Sequence, residues 1–237
     1  MDEKELYRYD RQVMLKEIGE QGQIKLKEAK VLVVGAGGLG SPVLQYLCAA
    51  GVGTLGLIDP DIVSETNLQR QVLYNTSDIC LSKAEIASQK LSALNPFCKL
   101  VTYPERLTAT NAKLLIQQYD IVVDCTDNFT SRYLLDETCQ MLNKPLVYGS
   151  IEEFSGQVSV FHHKKGISYK MLYPDQPSPE LMNGQPLGVF GAIPGVIGSL
   201  QAVEVIKIIT GTGTVLSGKL LLYDALKASF RTITFSN

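Results

Sequence analysis

The chain lacks a strong net charge, a membrane-length apolar run and an apolar leader. Its 22 lysines and arginines nearly balance 24 aspartates and glutamates, which leaves a formal net charge of −2. This balance gives no electrostatic reason to expect nucleic acid or an anionic membrane as a partner. No run approaches the roughly 20 apolar residues that cross a bilayer, and the charged segment 1–12 is unlike a secretory signal. We therefore expect a cytoplasmic enzyme.

Thiol pairs are also missing. The cysteines lie far apart, and no two of them form a Cys-x-x-Cys pair. Structural zinc sites usually use such pairs, so zinc is not expected. An odd number of cysteines also argues against the disulfide framework of a secreted protein. The five are Cys48, Cys80, Cys98, Cys125 and Cys139.

The most informative segment that is present is 31–40, with the sequence VLVVGAGGLG. A short apolar run stops at a glycine-rich turn, and a helix-compatible run follows it. Backbone amides at such a turn, with the positive end of a helix dipole, bind nucleotide phosphates. Gly35, Gly37 and Gly40 match G-x-G-x-x-G, where a Cβ would block the turn and the approach of phosphate. The second glycine of the pair, Gly38, fits a backbone that must stay clear of the same ligand. A glycine turn used only for packing is the alternative.

Strands and helices alternate through the first 150 residues, as expected for a Rossmann-like, doubly wound and mostly parallel α/β sheet. We predict one domain over 1–237, in which the half 1–150 binds the nucleotide. The predicted strands are 31–34, 54–58, 98–103, 121–124 and 145–149, and the predicted helices are 41–50, 82–94, 111–119 and 131–142.

The pattern changes over residues 151–237. Residues 157–161 alternate like an exposed or antiparallel strand, and the proline-rich segment 173–186 is typical of a long crossover loop. Residues 195–210 predict a helix that is apolar on nearly all sides, either a core helix or an interface element. Two strand-like runs follow, so we expect an antiparallel C-terminal extension.

Polar residues follow the second predicted strand. Asp59 ends that strand, where a carboxylate accepts hydrogen bonds from the ribose hydroxyls of a nucleotide. The stretch 64–71 comes next, outside the carboxyl ends of the strands. Within it, Arg70 is suited to phosphate through its planar fork of donors, while Asn67 and Gln71 offer neutral contacts.

Lys83 begins the following helix, where acidic residues are usually preferred. A lysine at this position is either a phosphate ligand or a solvated surface residue. The sequence leaves both interpretations open.

Asp124 and Asp127 follow another strand, so we expect at least one of them to face the same crevice. A carboxylate beside a triphosphate is the usual means of holding Mg²⁺. The alternative is that Asp127 or Asn128 caps the helix that begins near Ser131. The neighbouring glycine turn favours the metal over capping.

Several short sequence motifs occur in a fixed order along the chain. Together they are a more specific signal than the glycine motif alone. Over nearly its whole length the chain resembles the ThiF/MoeB/HesA family, bacterial relatives of the ubiquitin-activating enzymes. The matching blocks are 8–12, 35–40, 59–61, 67–71, Lys83, 124–128, 156–157, 195–202 and 217–220.

The resemblance implies an activity. In such enzymes ATP adenylates the C-terminal glycine carboxylate of a small ubiquitin-like sulfur carrier that ends in Gly-Gly, and pyrophosphate is released. It implies catalytic roles for Arg70 and Lys83 at the phosphates and for Asp127 with Mg²⁺. Arg11 corresponds to an arginine that such homodimers supply from the second subunit. The other cofactor-binding residues that it implies are Gly35, Gly37, Gly38, Gly40, Asp59 (at the ribose), Asp61, Asn67, Gln71 and Asn128.

The missing catalytic pairs agree with this chemistry. The nucleophile is the carboxylate of the substrate itself, so no Ser–His or Cys–His pair is required. Catalysis then rests on positioning and on neutralising the charge that develops on phosphorus and pyrophosphate.

The chain departs from the family pattern in two ways. Relatives often carry two zinc-binding Cys-x-x-Cys pairs, but this chain has Ser-Tyr-Lys-Met at 168–171 in place of the first and none in place of the second. The loop 174–188 also lacks the cysteine that handles sulfur in some relatives. We therefore expect a zinc-free member that only adenylates, with any sulfur donor a separate protein. His162 and His163 face opposite sides of a strand, so a metal is not expected there.

The leading hypothesis is therefore an adenylyltransferase for a sulfur carrier protein, in thiamine biosynthesis, with molybdopterin biosynthesis as the alternative. An NAD-dependent oxidoreductase rests only on the glycine turn and Asp59. A non-catalytic scaffold of the same fold is a third hypothesis. The retained phosphate-binding charges argue against it, because unused charges in a crevice cost stability.

Overall fold

One mixed sheet runs through the molecule. A computed structural model describes residues 1, 3–164, 166–175 and 188–235. Over these residues the strands are β1 (Lys30–Val34), β2 (Thr54–Ile58), β3 (Lys99–Tyr103), β4 (Ile121–Asp124), β5 (Leu146–Glu152), β6 (Ser155–Phe161), β7 (Lys219–Asp224) and β8 (Ser229–Thr234). The helices are α1 (Glu3–Arg8), α2 (Asp10–Val13), α3 (Gly19–Glu28), α4 (Gly40–Ala49), α5 (Lys83–Leu94), α6 (Ala112–Ile116), α7 (Phe129–Leu142), α8 (Tyr169–Leu172) and α9 (Ile193–Thr210).

The strand order in the sheet is β3-β2-β1-β4-β5-β6-β7-β8. Pairing is parallel from β3 to β5, where Val33 of β1 lies opposite Leu57 of β2 and Val123 of β4. The pairs β5–β6, β6–β7 and β7–β8 are antiparallel. The structure thus confirms the predicted mostly parallel α/β sheet with an antiparallel C-terminal extension.

Both faces of the central strands are buried. Val31 and Val33 belong to one apolar core, which includes residues of α4, α5 and α9. Leu32 and Val34 belong to a second core on the opposite face, with residues of α6 and α7. Parallel strands covered on both faces are apolar at every position, and this explains the uninterrupted apolar run of β1.

Helix α9 begins two residues before its predicted start and ends at Gly211, which takes a left-handed conformation with φ of 78°. By length and composition it could cross a membrane, but half of it is buried inside the protein. It packs on α4 and on strands β5 and β6. The core-helix interpretation therefore accounts for its apolar surface.

Several element boundaries differ from those predicted. Helix α6 spans only 112–116, and Tyr119, predicted to be helical, lies beyond its end with a buried side chain. Strand β5 extends to Glu152, since it continues into a hairpin with β6. In the predicted loop 173–186, residues 176–186 lie outside the described residues.

The strand order reverses direction at β1. From β1 the chain crosses to β2 and β3 on one side, and the later strands β4 and β5 lie on the other. In open α/β sheets such a reversal leaves a crevice beyond the carboxyl ends of the two strands that flank it. Here those strand ends are Val34 of β1 and Asp124 of β4.

Candidate functional site

A cavity of about 530 Å³ opens at this reversal, within the size range of ligand pockets. Its wall combines the glycine turn after β1, the end of β2 and the turn after β4. Ten of the predicted site residues line it: Gly35, Gly37, Gly38, Asp59, Asp61, Arg70, Gln71, Lys83, Asp127 and Asn128.

The glycine turn has the tight geometry that the motif predicts. Gly35 has a φ of 99°, and a Cβ on it would lie 2.6 Å from the carbonyl oxygen of Cys125. A Cβ on Gly40 would lie 2.0 Å from the carbonyl oxygen of Gly35. Gly38 faces the first turn of α9, where its Cβ would lie 3.1 Å from Pro194 Cβ. The turn thus needs glycine for its own packing as well as for any ligand.

Asp59 joins β2 to the glycine turn. Its Oδ2 accepts a hydrogen bond from the backbone amide of Ala36 at 2.7 Å, and its Oδ1 accepts one from the amide of Asp61 at 2.8 Å. Burial raises the pKa of the Asp59 carboxyl, while these two hydrogen bonds act in the opposite direction. Each oxygen keeps a further lone pair, so the carboxylate can still accept from a ligand hydroxyl.

Lys83 is 5% exposed, which excludes the surface interpretation. Its Nζ donates to Asp61 Oδ2 at 3.0 Å, and the Asp61 side chain is itself largely exposed. The Tyr74 hydroxyl donates to the carbonyl oxygen of Ala36 at 2.8 Å and lies 3.2 Å from that of Lys83. The start of α5 is therefore fixed against the glycine turn, with a buried ammonium group at the cavity wall.

Arg70 and Gln71 reach the cavity from the loop after β2. Backbone amides of both residues donate to the carbonyl oxygen of Asn67, at 3.0 and 2.9 Å. The Arg70 guanidinium donates to the carbonyl oxygen of Thr66 at 3.1 Å. Gln71 is buried, and its Oε1 has no hydrogen-bond partner among the described residues.

The structure decides between the alternatives for Asp127 and Asn128. Asn128 caps α7, because its side-chain oxygen accepts from the amide of Ser131 at 2.9 Å. Asp127 is exposed at the cavity, and the only hydrogen bond described for its carboxylate comes from Asn128 Nδ2 at 3.4 Å. Asn128, and not Asp127, is therefore the residue that caps the helix.

Three predicted residues lie away from the described cavity wall. Gly40 is buried at the start of α4, and Asn67 contributes through the backbone bonds that orient Arg70 and Gln71. Arg11 is exposed, with Nη1 4.0 Å from Met14 Sδ.

The sequence interpretation missed several residues of the wall. Arg106 follows β3 at the same edge of the sheet as Asp59, and that position was the signal that could have found it. Arg132 lies on α7, where a helical arginine gives no signal that distinguishes it from a surface residue. The other missed polar residues of the wall are Glu105, Thr126, Ser131, Glu152 and Glu153.

The part of the chain that the structure describes contains no group of three or more His, Cys, Asp or Glu side chains that could hold a metal ion. Cys125 is buried at the cavity, and this burial raises the pKa of its thiol well above the usual value. His162 Nε2 lies 2.7 Å from Asp136 Oδ1, a carboxylate that also accepts from the amide of Tyr169. This histidine thus has a structural partner.

An open, mostly parallel sheet with a glycine turn at its reversal point defines a Rossmann-type α/β protein. The ThiF family model matches residues 9–237. The chain therefore belongs to the ThiF family.

Relatives with curated names share this region. The chain is 51% identical over 237 residues to the sulfur carrier protein adenylyltransferase of Thermus thermophilus, covering 98% of this chain and 88% of that one. It is 51% identical over 234 residues to the adenylyltransferase and sulfurtransferase MOCS3 of Culex quinquefasciatus, covering 98% of this chain. It is 45% identical to the probable adenylyltransferase/sulfurtransferase MoeZ of Mycobacterium tuberculosis, covering 99% of this chain. The chain spans only 53% of that MOCS3 and 61% of that MoeZ.

Solved structures confirm the fold. Escherichia coli MccB with ATP superposes with a TM-score of 0.86 at 23% identity, covering 97% of this chain and 72% of that one. PaaA superposes with a TM-score of 0.84 at 22% identity, covering 99% and 75%.

Proposed function

We propose that this protein uses ATP to adenylate the C-terminal glycine carboxylate of a small ubiquitin-like sulfur carrier protein. One observation carries the proposal. The cavity that is lined by the glycine turn and Asp59 is also lined by a buried lysine, Lys83. Arg70 and Asp127, whose carboxylate caps no helix, line the same cavity. The name of the Thermus thermophilus relative, which matches nearly the whole chain, supports the same activity.

The chemistry needs little beyond placement and charge. An oxygen of the carrier carboxylate attacks the α-phosphorus of ATP, and an O–P bond forms as the bond from that phosphorus to the β-phosphate bridge breaks. Pyrophosphate leaves with the bonding electrons. Arg70 and Lys83 would neutralise its charge, and Asp59 would orient the ribose.

Asp127 is the residue that would hold Mg²⁺. A magnesium ion is usually bound by one or two carboxylates, with substrate phosphates and water completing an octahedron. The exposed Asp127 carboxylate at the cavity wall fits this role. When bound, the ion would neutralise charge on the phosphates.

Hydride transfer explains the site less well. An NAD-dependent oxidoreductase would use the glycine turn and Asp59 but would have no need for Arg70 or Asp127. A non-catalytic scaffold would bury the charge of Lys83 at a cost in stability and without use.

The pathway and the other partners are also proposals. We assign the carrier to thiamine biosynthesis, with molybdopterin biosynthesis as the alternative that the names MOCS3 and MoeZ keep open. Because the loop 174–188 contains no cysteine, a separate protein would donate the sulfur. The near-neutral charge gives no electrostatic reason to expect nucleic acid or an anionic membrane as a partner, and we assign the protein to the cytoplasm.

A homodimer would complete the site. Arg11 would reach the cavity of the second subunit, which agrees with its exposure and its distance from the described wall of its own cavity. Exposed apolar side chains near it, Met14 and Leu15, would contribute to the interface.

Exchange of labelled pyrophosphate into ATP tests the activity. Purified protein with Mg-ATP should catalyse this exchange only when a carrier ending in Gly-Gly is present, and Asp127→Ala should abolish it. Comparing the thiamine and molybdopterin carriers identifies the pathway. If no carrier from the same cell supports exchange, the adenylation proposal is wrong.

A further inference from the structure

The turn that carries Asp127 is held by two charged side chains, the buried Asp124 and the partly buried Arg132. Asp124, the last residue of β4, accepts through Oδ1 from the amide and the hydroxyl of Thr126, at 2.9 and 2.7 Å. Arg132, on the first turn of α7, donates from Nη2 to the carbonyl oxygen of Thr126 at 3.3 Å. Thr126 directly precedes Asp127, so both side chains fix the backbone next to it.

The charges of Asp124 and Arg132 also interact. Asp124 is 1% exposed, and burial raises the pKa of its carboxyl while the charge of Arg132 acts to lower it. The Arg132 guanidinium lies 5.4 Å from the ring centre of Phe129 and 5.8 Å from that of Tyr148. Arg132 is thus the main opposing charge at Asp124, and its own guanidinium lies beside two aromatic rings.

Neither side chain is fully satisfied. Asp124 Oδ2 and Arg132 Nε are buried and have no hydrogen-bond partner in the part of the chain that the structure describes. Unpaired buried polar atoms cost stability, and an apolar pair of similar volume would often be more stable. A role in stability alone therefore explains this pair poorly.

A third contact fixes the same turn from α9. Gln201 Nε2 donates to the carbonyl oxygen of Asp124 at 2.7 Å and lies 3.3 Å from that of Val147 on β5. The backbone before Asp127 is thus held from β4, α7 and α9. Its carboxylate remains exposed at the cavity.

We propose that Asp124 and Arg132 are positioning residues that hold the 124–128 turn so that the Asp127 carboxylate binds Mg²⁺ at the nucleotide phosphates. The inference rests on the Mg-ATP site of the proposed function. It adds that the site depends on the buried Asp124 carboxylate and the nearby Arg132 guanidinium, which hold the turn without binding the metal themselves.

Asp124→Asn is the sharpest test, because the geometry lets asparagine keep the existing bonds. Its amide oxygen can take the place of Oδ1 and accept from Thr126, while its NH₂ group takes the place of the unpartnered Oδ2. Only the charge that faces Arg132 is removed. Arg132→Gln removes the charge from the other side, and Arg132→Lys retains it without the planar fork.

Calorimetric titration measures the affinity of each variant for Mg-ATP and, in EDTA, for ATP alone. We expect Asp124→Asn and Arg132→Gln to weaken Mg-ATP binding by roughly tenfold or more, as is typical of residues that orient metal ligands. Affinity for metal-free ATP should stay unchanged, and Asp127→Ala should show the same pattern. Arg132→Lys should recover part of the loss.

Asp136→Asn is the matched control, since Asp136 is a buried aspartate on the same helix that binds His162 instead. It should change neither affinity, and thermal unfolding confirms that each variant is folded. Equal losses with and without Mg²⁺, or no loss in either, would overturn the positioning role. These titrations need no carrier protein, so a failed pyrophosphate exchange would reject the adenylation proposal without deciding this one.

Discussion

The carboxylate of Asp59 and the backbone amide of Ala36 are joined by a 2.7 Å hydrogen bond. This bond fixes the end of β2 to the glycine turn after β1, and so holds the ribose and phosphate ends of the proposed nucleotide site in one rigid unit.

Asp59→Ala should remove recognition of the ribose. Hydrogen bonds to a charged group typically contribute about 1.5–3 kcal/mol, so the wild type should prefer ATP to 2′,3′-dideoxy-ATP by roughly tenfold or more. The variant should bind both nucleotides with nearly equal affinity. Calorimetric titration measures the preference. A disturbed turn would weaken the binding of both nucleotides equally, so it would not change the preference. If the variant still prefers ATP to the dideoxy nucleotide, Asp59 does not bind the ribose.

Gly37 and Gly40 should respond differently to alanine. A Cβ on Gly40 would overlap the backbone of Gly35, so Gly40→Ala should destabilise the fold by about 1–3 kcal/mol or more. A Cβ on Gly37 would lie 3.3 Å from Gln71 Nε2, the end of a side chain that can move. The free energy of unfolding of Gly37→Ala should therefore lie within about 0.5 kcal/mol of that of the wild type. The variant should nevertheless bind ATP more weakly. Urea unfolding and nucleotide titration separate the two effects, and an unchanged ATP affinity for Gly37→Ala would place the phosphates elsewhere.

Asp124→Asn should change the pH dependence of stability. Burial raises the pKa of Asp124 in the folded protein above its ordinary value of 3.8, so the folded state holds this proton more tightly than the unfolded state. The resulting stabilisation is complete below pH 3.8 and is lost as the pH rises through the folded pKa. Asparagine does not titrate, so the variant lacks this loss. The difference in stability, variant minus wild type, should therefore be more favourable to the variant at pH 7 than at pH 4. Urea midpoints at both pH values measure this difference, and a difference independent of pH would contradict it.

Mixing two inactive variants tests whether Arg11 acts across subunits. Arg11→Ala and Asp127→Ala should each lose pyrophosphate exchange when alone. Random mixing in equal amounts makes about half of the dimers mixed, and each mixed dimer has one complete site out of two. Activity should therefore return to about a quarter of that of the wild type. If Arg11 acts within its own subunit, no mixed dimer contains a complete site and no activity returns. Re-equilibration of subunits is checked by separating tagged from untagged protein.

Much of the fold could be predicted from local patterns. Strand β2 has the predicted bounds, since a short apolar run meets Asp59 and Pro60, which end it. Helix α6 was predicted too long, because periodicity does not show that Tyr119 is drawn into the core beneath the sheet. Arg132 was missed, since the sequence does not show that its guanidinium also meets the ring of Tyr148 on β5.

By itself, the sequence determined the order of strands and helices and the glycine turn, because these depend on residues that are close along the chain. Its motifs, which stand in a fixed order over nearly the whole length, also indicated the family. It could not decide whether Lys83 was exposed or whether Asp127 capped a helix. Those answers came only from the tertiary structure, which buries Lys83 beside Asp61 and gives the cap to Asn128. The physical reason is that burial and hydrogen-bond partners depend on which distant segments meet at the reversal point of the sheet.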